Sequence, residues 1–520
     1  MRRRRWPERA HCVANALCAG TPCASKRGQN GRVAAIPLPR CTASAIAATS
    51  VSRPDRVVSG SMGKNGMPNN LSAVLSSEEI ATLVHEAVAE AEANRGEIAL
   101  QKLEPLRDAQ RRQREAAMAL LWVVNQFCLP REVAAEILAE IARSHDRDVD
   151  ILPRLGSCLE AARDIDELNA PPPDHPLFVS LFERLREMAA DHQGKPDHES
   201  ILDGLAIAAR MLARQQDETA QRSYRALTEI DPRNPRYHYG LGLFYKTRGR
   251  FADGMRANQI AMSLLDEPAE NYQWNLGICA TGAGNAVVAL DVWKQLGLDI
   301  AIGRFGLPEC ALGQCKVKLA ERPLAERSAE NDDPGDEETI WIERLSPCHG
   351  IVRSVLYQAL GVDYGDVVLF DGAPITYHTY GDMRIPVFPH LATLIRRNYQ
   401  VFDFAGTQET EGQLADMSQE LDGDAVIYSH SESIVMLCAD CWRDPDRDHD
   451  NHEGMEKHVV RGKIAAPAEM DPKSLLDRID AVIETQERRC LLYAPDLCKA
   501  AGLTEREAIE RRRFDLLMRN

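Results

Sequence analysis

Three small residues, Ala208, Gly242 and Gly277, sit midway along apolar helical patterns at separations of 34 and 35 residues, and no other feature limits the fold as much. The apolar residue before each is Ile207, Leu241 or Leu276. A second set, Ala220, Gly254 and Ala289, keeps the same separations, followed by Tyr224, Asn258 and Trp293 and then by Leu227, Ala261 and Leu296. Pro232 and Pro268 punctuate the ends of the first two units. Positions that share one register describe a helical hairpin that cannot bury its apolar face alone and so stacks on its copies; about three copies make such a stack stable. Antiparallel helices interlock this closely only where a small side chain faces a large one.

The segment PRYHYGLGLFYKTRGRFADGMRANQIAMSLLDEP resembles the tetratricopeptide repeat (TPR) family, with Leu241, Gly242, Tyr245, Gly249, Phe251, Ala261 and Pro268 at that family's packing positions. Asn258 stands where an aromatic is usual, Gly254 for the usual Ala and Ala280 for the usual Tyr. The resemblance covers ~100 of 520 residues. It implies a concave groove that holds a peptide or partner protein, with Tyr237, Tyr239 and Tyr272 as candidate groove residues. The plainer alternative is that three hairpins only buttress a neighbouring domain.

Around this array the chain divides by pattern. Residues 1–70 read as a disordered or mis-assigned N-terminal extension, with Met62 and Met67 as natural starts. Residues 71–197 are helical: SSEEIATLVHEAVAEAEAN opens with a serine cap, REAAMALLWVVNQFCL and REVAAEILAEIARSH form a hairpin broken at Pro130, and LFVSLFERLREMAA follows. Residues 198–327 hold the repeats, with PECALGQCKVKLAER as a capping helix. The acidic stretch 328–338 (SAENDDPGDEE) reads as a linker. Residues 339–470 then read as a β-rich α+β or α/β domain. TIWIERLSP, GDVVLFDGAPI and RIPVFPHL suit a small barrel or curved sheet, and HLATLIRRN alternates with YQVFDFAG, and EGQLADMSQEL with DAVIYSHSESIVML, helix and strand in turn. Residues 471–520 return to amphipathic helix. The expected fold class is an all-α helical-hairpin solenoid followed by an α+β or α/β domain.

Charge and cysteine usage narrow the function. The first 61 residues carry eleven Lys/Arg against Glu8 and Asp55, a balance of +9, so the total of −16 leaves −25 on the rest. A body that acidic is repelled by phosphate backbones, which argues against nucleic acid as partner. No apolar run approaches the roughly 18–20 residues of a membrane span. Ten cysteines scattered beyond residue 61 in an apolar-rich chain read as reduced thiols, many of them buried, in the cytoplasm.

One constellation carries metal chemistry. Cys438, Cys441, His449 and His452 form C-x2-C-x7-H-x2-H, a donor set that suits tetrahedral Zn2+ in a structural role, with His430 and His458 as substitutes. The competing readings are a solvated acidic loop beside a buried Cys438, or a redox CxxC, which would need the pair at a helix N-terminus. Cys348–His349 in SPCHG suggests a thiolate–imidazole pair, but neighbours on a strand point to opposite faces, so the default is a buried thiol and a turn histidine. Asp371–Gly372 reads as a turn, and Tyr377, His378 and Asp382 as loop residues. Dinucleotide, P-loop, HExxH and GxSxG motifs are absent from the sequence. The expected function is a protein–protein interaction scaffold or adaptor with a zinc-stabilised C-terminal domain. The alternative is an enzyme or modifying factor whose C-terminal domain acts through a metal or cysteine site on a substrate presented by the repeats.

Overall fold

A computed structural model describes residues 74–519 apart from 94, 127–130, 160–175, 213, 381–382, 422–424 and 444–453. The extension over residues 1–70 lies outside them. Helix α1 (Ser77–Glu92) begins at a reciprocal cap: the Ser76 hydroxyl accepts from the Glu79 amide, and the Glu79 carboxylate accepts from the Ser76 amide at 2.7 Å. Helices α2 (Gly96–Ala109), α3 (Arg114–Gln126), α4 (Arg131–Ser144), α5 (Ile151–Cys158) and α6 (Pro176–Asp191) follow. Three hairpins come next: α7 (His198–Met211) with α8 (Asp217–Ile230), α9 (Pro235–Thr247) with α10 (Phe251–Ser263), and α11 (Glu270–Gly282) with α12 (Ala286–Gln295).

The repeated positions meet each other in space. A Cβ added to Gly242 would lie 2.4 Å from the Asn258 amide, and one on Gly277 would lie 2.5 Å from the Trp293 ring. In the second and third hairpins the small position of the first helix thus receives the large position of its own second helix, while Tyr224 of the first hairpin packs on Gly240 of the second. The N-terminal helices share this core. A single apolar cluster runs from Ile80 to Ala257, and α5 crosses α7 where a Cβ on Gly204 would come within 2.6 Å of Pro153 Cα.

After the short hairpin β1 (Ala301–Ile302) and β2 (Pro308–Glu309) the chain enters a barrel. Strands β3 (Gln314–Ala320), β4 (Glu337–Arg344), β5 (His349–Val352), β6 (Val367–Phe370) and β8 (Met383–Ile395) neighbour one another in that order. The ring closes where β3 pairs in parallel with β8, Val317 opposite Phe388. Strand β7 (Thr376–Tyr380) adds to the first half of β8. Val317, Leu319, Ile340, Ile342, Phe370 and Phe388 fill the inside.

A second sheet, antiparallel throughout, is ordered β10 (Val426–Cys438), β11 (Gly454–Ala466), β9 (Gln400–Gln408), β12 (Cys490–Tyr493). Helices α13 (Gln413–Glu420), α15 (Pro472–Thr485) and α16 (Pro495–Ala500) share one apolar cluster with it, and α17 (Thr504–Arg519) reaches another through Leu517 and Phe514. The architecture is therefore a TPR-like array of helical hairpins followed by an α+β C-terminal region.

Several local expectations change. PECALGQCKVKLAER does not cap the array with a helix. Its second half is β3, because Cys315, Val317 and Leu319 alternate with Lys316 and Lys318 at the period of a strand, and the first three are buried. The acidic stretch 328–338 is not an interdomain linker but the connection from β3 to β4, with Ala320 opposite Glu337. HLATLI continues β8 instead of forming a helix. Finally, the C-terminal helices are interrupted by β12, a four-residue apolar run too short for helical periodicity to judge.

Candidate functional site

The barrel is docked on the array, and the docking surface is α11, the first helix of the third hairpin. In α11, Tyr272, Gln273, Asn275 and every residue from Leu276 to Thr281 are buried. An ordinary surface helix buries one stripe. Here α10 and α12 cover one side and the barrel covers the other, so Leu276, Ile278 and Trp293 share a cluster with Cys348, Leu369 and Leu391. The turn after β6 presses Gly372 onto α11 so closely that a Cβ there would lie 2.9 Å from the Trp274 ring.

Beside that turn lies a buried ionic contact. The Lys246 ammonium, at the end of α9, donates to both Asp371 oxygens at 2.9 and 2.7 Å and to the Asn275 amide oxygen at 2.8 Å. Lys246 is only 4% exposed, so its charge depends on that carboxylate for compensation. A second anchor is Arg214, also buried. It donates to Asp332 at 3.0 Å, to the Thr247 carbonyl at 3.1 Å and to the Leu324 carbonyl, tying the β3–β4 connection to the array. The Asp371–Gly372 turn was legible in the sequence; its role as a dock was not, because Lys246 reads as a solvated helix-end cation.

The corresponding side of α7 and α9, the first helices of the first two hairpins, is less covered. Arg236, exposed, pairs with Asp203 at 2.5 Å, the Tyr237 hydroxyl donates to Glu199 at 2.7 Å, and the half-buried Tyr239 ring stacks on Tyr272 with centroids 4.3 Å apart. Of the three tyrosines singled out as groove residues, Tyr237 and Tyr272 are buried and Tyr239 alone is half-exposed.

A titratable cluster stands on the outside of the barrel. Lys316 of β3 is 5% exposed, and its ammonium donates to His378 Nδ1 at 3.1 Å and to the Tyr380 hydroxyl. It also lies 5.4 Å from the Trp341 ring centroid and 4.6 Å from that of Tyr380. Among the described residues no carboxylate pairs with it. His378 and Tyr377, expected on a loop, lie on strand β7; Lys316, Trp341 and Tyr380 were not singled out from sequence, since only the pairing of β3, β4, β7 and β8 brings them together. Asp382 lies outside the described residues.

The expected zinc ligands are described in part. Cys438 ends β10, and Cys441 lies in the short helix α14 (Ala439–Arg443) that follows directly. The two thiols are hydrogen-bonded to each other, and desolvation and then the Cys438 thiol push the Cys441 thiol above its ordinary pKa. His449 and His452 lie outside the described residues, within which no group of three or more metal-ligating side chains occurs. Cys438 does stand at a helix start, the placement the redox reading required. His458 pairs with Ile434 across the hairpin, and His430 sits at its bulge between the rings of Tyr357 and Tyr428.

Cys348 and His349 are both fully buried. Burial pushes the Cys348 thiol up to about 11 and the His349 imidazole down to about 4. Ser346 Oγ stands 3.8 Å from the Cys348 sulfur and 2.5 Å from His349 Nδ1, and the Cys348 thiol also contacts Thr281 of α11. A protonated thiol sealed under a helix is a packing group, as expected for Cys348, whereas His349 is not a turn residue but the buried first residue of β5.

No family model matches the chain, and no curated protein matches it in sequence. Among solved structures it is similar to a protein described as Pseudomonas aeruginosa pilF, at 13% identity over 42% of this chain and 90% of that one, with a TM-score of 0.28. It is also similar to PilW, described as a type IV pilus biogenesis factor, at 14% identity over 43% and 94%, TM-score 0.31. A third is MamA from Desulfovibrio magneticus, at 18% identity over 32% and 84%, TM-score 0.24. The hairpin assignment rests on the contacts between register positions and not on these likenesses. No helix among the described residues is long and apolar enough to cross a membrane.

Proposed function

We propose that the chain is a protein–protein interaction scaffold whose partner face is the open side of α7 and α9 in the first two hairpins, while its own barrel occupies the third. The observation that carries this reading is the burial of α11 on both sides against the exposed Arg236 and half-exposed Tyr239 of α9, one hairpin earlier, with Asp203 of α7 held beneath the Arg236 guanidinium. Free, buried cysteines such as Cys158, Cys279, Cys315 and Cys498 support a reducing compartment such as the cytoplasm. The test is cross-linking by the full chain and by an Arg236→Glu/Tyr239→Ala variant of unchanged helicity. Loss of specific cross-linked proteins in the variant supports the reading; an identical set in both sinks it.

Structural Zn2+ at the β10–β11 tip belongs to the same proposal, supported by the adjacent Cys438 and Cys441 thiols. Metal analysis of the purified chain should find one equivalent of zinc that Cys438→Ser and Cys441→Ser both remove; wild-type protein prepared without chelator and free of zinc would end the idea.

A second reading, chemistry on the outer wall of the barrel, is favoured by Lys316, a buried amine held by Tyr380 and His378. Aldehyde treatment with borohydride trapping should then label Lys316 ahead of exposed Lys473, as read by peptide mass spectrometry. Equal or weaker labelling removes the reading.

A further inference from the structure

The outer edge of β10 is the longest unpaired strand edge of the second sheet. On its inner side β10 pairs with β11 from Val426 to Cys438, with a bulge between Ser429 and Ser431. On its outer side no strand follows among the described residues. Edges of this kind are ordinarily blunted by proline, lysine or inward charge. The segment Ser431–Cys438 (SESIVMLC) carries none of the first two, and its one charge, Glu432, accepts from the Gln408 amide at 3.0 Å.

The segment instead presents apolar side chains to solvent, Ile434 at 58% and Met436 at 64% exposure. They lie on one face, two residues apart. On the opposite face Val435 and Leu437 belong to the cluster of Val459, Leu517, Trp442 and Phe514. One face is thus already a core that stops at the sheet edge, and the other is an apolar pair with nothing over it among the described residues.

We infer that β10 pairs with β10 of a second copy of this chain, antiparallel about a two-fold axis at Val435, to give one continuous eight-stranded sheet. The sequence is self-complementary in that register. Ile434 faces Met436 of the other copy and Met436 faces Ile434, so the exposed pair becomes a four-residue apolar patch. Ser433 faces Leu437, and Glu432 faces Cys438, so no two carboxylates oppose each other although the chain body is strongly acidic. Val435 faces itself, joining the two clusters under the sheet. Isologous contacts need this property, in which a surface is its own complement, and an edge strand is the simplest element that can supply it. The bulge at Ser429/Ser431 ends the pairing on one side and α14 ends it on the other.

Sedimentation equilibrium of the full chain decides the matter, with Ile434→Lys/Met436→Lys as the breaking variant. Both positions are more than half exposed, so a monomer should retain the fold, which circular dichroism and the thermal midpoint check. The expected result is a wild-type dimer whose dissociation constant weakens by roughly tenfold or more in the variant. Amide exchange supplies the second readout: Ser433–Leu437 should become more protected as wild-type concentration rises and should not in the variant. A wild type that stays monomeric throughout overturns the inference, and so does a dimer the variant leaves intact or an edge whose exchange ignores concentration. A wild-type monomer whose edge is protected only by a different protein also overturns it.

Discussion

The second and third hairpins are built on one register and end in opposite circumstances. Helix α9 keeps Arg236 in solvent, whereas α11 is buried from Leu276 to Thr281 without a break. The difference does not come from hairpin packing, since Gly242 against Asn258 and Gly277 against Trp293 repeat one design. It comes from what covers the first helix. In the third hairpin the occupant is part of the same chain, held by Lys246, Asn275 and Gly372. A repeat surface can therefore serve as an intramolecular seat at one end and remain an open face at the other.

The largest effect on this contrast is expected from Lys246→Ala, which strands the Asp371 carboxylate in the junction. Loss of one partner of a buried pair costs about 3–5 kcal/mol, measurable as a lower urea midpoint. Lys246→Met with Asp371→Leu should recover most of it, since an apolar pair of similar volume avoids the stranded charge. If the single variant proves as stable as wild type, the junction is not held as described.

Acid should loosen the docked side next. His349 lies beside the junction, and burial lowers its pKa from 6.5 to about 4. The unfolded chain takes up a proton below pH 6.5 that the folded chain refuses until about 4, so stability is full above 6.5 and declines as pH falls towards 4. His390, likewise near 4 through burial, adds to the same window. The loss from pH 7 to pH 5 should be on the order of 2 kcal/mol per histidine. Urea titrations at the two pH values should show a smaller difference for His349→Gln; an unchanged difference assigns the loss elsewhere.

Gly277→Ala probes the register itself. Its new methyl would start 2.5 Å from the Trp293 ring, and overpacking of this kind costs about 1–3 kcal/mol. Thermal melts should register it, and a neutral result would mean that α11 and α12 can separate freely. The smallest effect belongs to the open face. Arg236→Ala removes a pair whose arginine is 48% exposed and should change stability by less than ~1 kcal/mol. A larger loss would show that this face is structural and not available.

The array was legible because its signal is local: Gly242 meets Asn258, and Gly277 meets Trp293, a few turns away in the same hairpin. The barrel was less so. Lys316 and Lys318 lie in a stretch that continues the spacing of helices before it, and only Val317 and Leu319 in the barrel core reveal period two. The alternation expected after the barrel also failed, because β8 runs thirteen residues where a strand and then a helix were expected. The junction was illegible for a different reason. Lys246 and Asp371 are 125 residues apart, and neither residue looks unusual where it stands. Of the metal-site residues, Cys438 and Cys441 do meet, while His449 and His452 lie outside the described residues.

That separation of 125 residues is also an interval of time. At roughly 5–20 residues per second, the ribosome finishes Lys246 some ~6–25 s before it supplies the carboxylate that neutralises it. Throughout that delay the third hairpin, once made, offers Trp274, Ile278 and Thr281 to whatever is nearby. The last hairpin of the array is thus a nascent-chain liability that only the completed barrel removes, and the order of synthesis makes the barrel the step on which safe release of the whole chain depends.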